Sequence, residues 1–140
     1  MSDGRWTAGR FALAYLGSIV ALGALDGVWL GLVAKGLYQR EMGELMAPSF
    51  RVWTAALFYL LYPLAVVFLC LHVQPASVWE AVARGAVLGA AAYGAYNLTN
   101  ASILKGWPIG LSAIDWTWGT FVTGAAAAAG WWAAWGRSDS

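Results

Sequence analysis

The sequence predicts an all-α, polytopic membrane protein: a single domain over residues 1–140, folded as a four-transmembrane-helix bundle. Three observations carry this expectation. The chain is 61% hydrophobic and 11% charged, whereas an average soluble domain is about 45–50% apolar and about 25% charged. Four apolar stretches each reach the roughly 20 residues that cross the hydrocarbon. Those stretches are rich in Ala, Leu and Gly without strict alternation, which argues against strands.

The first span, about 11–34, carries one charge, Asp26. Arg5 and Arg10 precede it as in a signal peptide, but the apolar run continues past signal-peptide length, so an uncleaved anchor is expected. Residues 35–51 hold Arg40, Glu41, Glu44 and Pro48. They read either as a short interfacial helix showing Leu37, Tyr38, Met42, Leu45 and Met46 to lipid or bundle, or as a solvated loop. The second span, about 52–73, contains Pro63, which clashes with the carbonyl of Tyr59 and predicts a kink. A link with Pro75 and Glu80 leads to the third span, about 85–104. Lys105-Gly-Trp-Pro108 is a tight connection to the fourth span, about 111–135, whose one charge is Asp115. Trp131, Trp132 and Trp135 suit an interfacial belt, followed by a polar tail from Gly136.

Four spans put both termini on one side. Arg5, Arg10, Arg84 and Arg137 balance Lys35, Arg40, Arg51 and Lys105 across the membrane. The two arginines ahead of the first helix favour cytoplasmic termini.

The polar residues converge in depth. At 1.5 Å per residue, Asp26 lies about 12 Å from the non-terminal side. Tyr59, Tyr62, Asn97, Asn100 and Asp115 fall in that same half. Faces agree with depth, because Gly85, Gly89, Tyr93, Tyr96, Asn97 and Asn100 lie within an arc of about 120°. Asp115, Trp118, Gly119, Val122 and Ala126 share a similar arc. Gly23, Gly27 and Gly31 form a ridge that permits close approach of a neighbouring helix. Asp26-Gly-Val-Trp29 and Asp115-Trp-Thr-Trp118 repeat Asp-x-x-Trp, each Trp nearly on the face of its Asp.

A buried aspartate costs about 2.5–3.5 kcal/mol at the centre of a span on insertion scales. Two of them demand compensation, either as a proton-accepting or ligand-binding site or as carboxyl groups tied to Asn, Tyr or Trp donors that hold the helices in register. The candidate ligand-binding residues are Asp26, Trp29, Tyr59, Tyr62, Tyr93, Tyr96, Asn97, Asn100, Asp115 and Trp118. The candidate helix-packing residues are Gly23, Gly27, Gly31, Gly85 and Gly89. The chain has 1 Cys and 1 His, which excludes an intrachain disulfide and opposes a Cys/His metal site. Cys70 and His72 read as packing and interface residues. No catalytic residue, metal site or cofactor is assigned. A net charge of +1 offers no basic field, so nucleic acid is not an expected partner.

Leu25-Asp-Gly-Val-Trp-Leu-Gly31, Phe58-Tyr-Leu-Leu-Tyr62, Tyr96-Asn-Leu-Thr-Asn100, Lys105-Gly-Trp-Pro108 and Asp115-Trp-Thr-Trp-Gly119 are specific in combination. Together they resemble an uncharacterised family of small bacterial inner-membrane proteins, domain of unknown function 2177, over nearly the whole chain. The resemblance implies a multi-pass location in the bacterial inner (cytoplasmic) membrane and four helices. It implies no activity.

The expected role is non-enzymatic: binding a small amphipathic or lipid-like molecule between the helices, or packing as an accessory subunit in a larger membrane complex. Expected partners are the lipid bilayer, a hydrophobic small molecule, and a homodimer or larger complex. One alternative is a proton-coupled small transporter acting as a dimer, with Asp26 or Asp115 alternating between proton and substrate. Another is a membrane enzyme acting on lipid with an Asp as general base. The sequence shows no Ser/His or Cys/His pair, metal cluster or nucleotide motif to support the enzyme.

Overall fold

A computed structural model describes residues 6–46 and 51–136, and every regular element among them is helical. Arg5, Pro48 and Arg137, which entered the sequence reading of orientation and loops, lie outside the described residues. Helix α1 spans Ala8–Val28. Its N-cap is Thr7, whose hydroxyl accepts from the Arg10 backbone N–H at 3.1 Å, satisfying one orphan donor of the first turn. The chain does not stop after α1. A π-helical turn, Trp29–Ala34, leads directly into α2, Lys35–Met42. Of the two readings for 35–51, the described part is thus a helix, ended by Gly43 at φ 35°, a conformation that favours glycine.

Helix α3 runs Val52–Val66 and is followed by a second π-helical turn, Val67–Leu71. Pro63 lies inside α3 and is buried. It has no N–H for the Tyr59 carbonyl, and the hydrogen-bond ladder widens to π spacing in the next turn. Helix α4, Val78–Ile103, begins well before the expected Gly85. The reason is local. The Ser77 hydroxyl accepts from Glu80 N–H at 3.2 Å, and the Glu80 carboxylate accepts from Ala76 N–H. The pair resembles a capping box, with the carboxylate reaching the N–H one residue before the N-cap. Arg84 then pairs with Glu80 at 3.3 Å and donates to the carbonyls of Cys70 (3.0 Å) and Val73, tying the start of α4 to the end of the α3 segment. Gly106, at φ 77°, turns the chain into α5, Ile109–Trp135.

Helix α5 packs along both α4 and α1. Contacts step in opposite directions along each pair, so both pairs are antiparallel. A Cβ on Gly17 would lie 2.7 Å from the Ala129 carbonyl, and one on Gly85 2.6 Å from the Thr123 carbonyl. Ser18 donates to the Ala126 carbonyl at 3.0 Å in the buried α1–α5 seam. At the far end Trp6 and Trp135 meet with ring centroids 5.7 Å apart. The apolar core sits between these helices and α3, around Ala14, Val66, Leu71, Ala127 and Trp135.

The glycine ridge of α1 departs from expectation. The buried face of α1 is Ala14, Ser18, Leu22 and Asp26. Cβ atoms on Gly23, Gly27 and Gly31 would meet nothing within 4 Å. The ridge lies about 100° away from the buried stripe and, among the described residues, packs against no other helix. Gly85 and Gly89, by contrast, are buried against α5.

Among the described residues, two helical segments are long and apolar enough to cross a membrane, Ala8–Ala34 (mean hydropathy 1.8) and Val52–Leu71 (mean hydropathy 2.2). Helices α4 and α5 have the length, 26 and 27 residues. Their Gly, Ala, Thr and Trp content, which serves close packing, keeps them less apolar.

Candidate functional site

One chamber, of about 360 Å³, opens where α1, α3, α4 and α5 converge beneath α2. Its lining includes Asp26, Trp29, Tyr59, Tyr62, Tyr93, Tyr96, Asp115 and Trp118. The structure therefore brings together eight of the residues singled out from sequence. It adds four that were not: Leu30, Tyr38, Phe58 and Ala92.

Each aspartate is held by two uncharged donors from other helices. Asp26, on α1, accepts from the Trp118 indole N–H of α5 at 2.7 Å on Oδ1 and from the Tyr59 hydroxyl of α3 at 2.8 Å on Oδ2. Asp115, on α5, accepts from the Tyr38 hydroxyl of α2 at 2.5 Å on Oδ1 and from the Asn97 amide of α4 at 2.8 Å on Oδ2. Four helices are thereby tied to two carboxyl groups, and each carboxyl oxygen keeps acceptor capacity for another partner. Among the described residues, no Lys, Arg or His lines the chamber.

The walls are aromatic. Trp29 and Trp118 stack with centroids 4.5 Å apart. Phe58 stacks on Tyr62 at 5.0 Å, and Tyr62 meets Tyr93 edge-on at 6.1 Å. The Tyr62 hydroxyl pairs with Thr123 Oγ1 at 2.7 Å, so this ring is fixed to α5. Tyr93 lies directly over Gly119, where any Cβ would strike its ring. The small residue on α5 is what lets this aromatic side chain lie flat in the seam.

The sequence-derived stripe on α4 is only partly in the chamber. Asn97 is buried behind it, bonding Asp115 and the Tyr93 carbonyl at 2.9 Å. Asn100 is half-buried and does not line it. The missed Tyr38 arrives because α1 continues through its π turn into α2, from which Tyr38 reaches Asp115 on α5. Burial first, and then the hydrogen bond to Asp115, hold the Tyr38 hydroxyl above the usual tyrosine range, so it remains a donor near neutral pH. No signal in the periodicity foretells a π turn; Tyr38 was legible only as an amphipathic residue in a short linking segment.

The arrangement can bind and orient a small molecule with an apolar body and a polar end. Among the described residues no group of three or more His, Cys, Asp or Glu side chains could hold a metal ion. A family described as "Predicted membrane protein (DUF2177)" matches residues 11–132. Neither a curated protein nor a solved structure matches the chain.

Proposed function

We propose, for a chain that belongs to the DUF2177 family of predicted membrane proteins, that it is an intramembrane binding protein for a small amphipathic molecule. It sits as a four-span bundle in the bacterial inner membrane, with both ends at the cytoplasmic face and the chamber toward the other face. Helices α4 and α5 cross as the glycine-packed centre of the bundle. The outward faces support this placement: Leu16, Val20, Leu32, Leu61 and Phe68 are exposed large apolar side chains, and an apolar surface of this extent suits lipid rather than water.

The observation that carries the reading is the chamber itself. An apolar, aromatic lining with a few convergent polar groups is the usual build of a small-molecule site, and gaps between bundle helices are a usual place. The chamber's volume falls within the about 300–1,000 Å³ typical of such sites.

Native mass spectrometry of the wild type and of Ala92→Phe, which fills the chamber from its α4 wall, tests the reading. A small hydrophobic adduct on the wild type and none on the folded variant is the expected result. A wild type that emerges bare from several mild detergents overturns it.

A second reading, a proton-coupled transporter working as a pair of chains, draws on two observations. The carboxyl groups accept from uncharged donors, and the ridge of Gly23, Gly27 and Gly31 meets none of the described helices. That reading requires flux driven by a pH gradient in proteoliposomes and its loss in Asp26→Asn.

A further inference from the structure

We infer that the molecule held in the chamber is an organic cation, an amphiphile with an ammonium head and a short apolar body. The inference rests on the binding reading above and specifies its ligand. It follows from which hydrogen-bonding groups the chamber has already used. Tyr38, Tyr59, Trp118 and Asn97 spend their protons on the two carboxyl groups. What remains on the two carboxyl groups is acceptor capacity, their unused lone pairs, beside the hydroxyls of Tyr93 and Tyr96 in the same lining. An anionic ligand, such as a carboxylate or a phosphate, would meet two acids of its own sign. A ligand with N–H donors and a positive charge meets its complement.

The walls select in the same direction. The face of an aromatic ring carries the negative end of its quadrupole and attracts a cation, more strongly where water is excluded. Trp29, Tyr62, Tyr93 and Trp118 surround the space between the two acids. No described basic side chain in the lining answers the two acids, and an ammonium group would supply the opposite charge to their ionised form. A neutral amphiphile would leave that charge unanswered. The volume of about 360 Å³ takes a head group and a short tail. A long chain would extend out between helices.

The test uses the full chain in non-ionic detergent micelles, with empty micelles as the blank. Octylammonium, octanol and octanoate share a tail and differ in head charge. Tryptophan fluorescence reads binding, because Trp29 and Trp118 line the site. Octylammonium should bind at least tenfold more tightly than octanol, and octanoate most weakly. Asp26→Asn and Asp115→Asn should each bring octylammonium close to octanol in variants whose circular dichroism matches the wild type. Displacement of octylammonium by phosphatidylethanolamine, but not by phosphatidylglycerol, would support the cation and assign the head group to a lipid. Indifference to both lipids would support it and assign a free amine. Equal binding of all three probes overturns the cation assignment and leaves the binding reading standing. Failure of all three to bind overturns both.

Discussion

The indole rings of Trp29 and Trp118 stack with their planes 8° from parallel, and the N–H of Trp118 reaches across to Asp26 rather than to its own neighbour Asp115. The two Asp-x-x-Trp strings are thus crossed at the α1–α5 seam. Replacing Trp118 should separate the parts of this contact. Trp118→Phe keeps an aromatic ring but removes the donor from a carboxyl group, a loss of about 1–3 kcal/mol. Trp118→Ala also removes the stack and the packing, about 3–5 kcal/mol in all. Thermal unfolding in one detergent, followed by circular dichroism, orders wild type above Phe above Ala. Equal midpoints for Phe and wild type would show that the indole–carboxyl bond contributes nothing to the seam.

A buried glycine and an exposed one should respond in opposite directions. Gly119→Ala places a Cβ in the Tyr93 ring, and overpacking of this kind costs about 1–3 kcal/mol. Gly27→Ala meets open space within 4 Å. There the better helix propensity of alanine favours the variant, by up to about 1 kcal/mol. Unfolding midpoints of the two variants check the sign. A destabilised Gly27→Ala would mean that the α1 ridge is covered by something outside this chain.

The convergence of polar side chains was legible in the sequence because helix rise is fixed and the polar residues are few. Asp26, Tyr59, Tyr62, Tyr93, Tyr96 and Asp115 meet in one chamber on that arithmetic alone. The direction of the α1 glycine ridge was not legible. Spacing shows that a smooth face exists, not what it faces, and the buried stripe through Ala14, Ser18, Leu22 and Asp26 carries no glycine. Tyr38 and Leu30 escaped for another reason. The π turn at Trp29–Ala34 breaks the 100° step on which face arithmetic depends.

The start of α4 should weaken in acid. The backbone N–H of Ala76, then the Arg84 charge and hydrogen bond, hold the Glu80 carboxyl below its ordinary value of 4.5. A depressed carboxyl pKa stabilises the folded state above the unfolded value, and the contribution fades as pH falls through the lowered one. Hydrogen exchange in the first turn of α4 should therefore quicken, relative to the rest of the helix, as pH drops below about 4.5. Glu80→Gln should remove that pH dependence. Ser77→Ala should raise exchange at every pH, since loss of an N-cap costs about 1 kcal/mol.

Helix α2 is tied to α5 by Tyr38, whose hydroxyl donates to Asp115. The helix is the last 8 residues of the run that α1 begins, and helix ends open most readily, so a tie to α5 slows its opening. Tyr38→Phe keeps the ring and deletes the bond. A hydrogen bond to a charged group contributes about 1.5–3 kcal/mol, so opening of α2 should become roughly tenfold or more easier. Hydrogen exchange across 35–42 reads this directly and should rise while exchange in α4 and α5 stays unchanged. The same variant leaves one Asp115 oxygen without its donor at the chamber mouth. Any ligand drawn to that carboxyl group should then both enter and leave faster in Tyr38→Phe. Unchanged exchange over 35–42 would mean that α2 is anchored elsewhere and does not close the chamber.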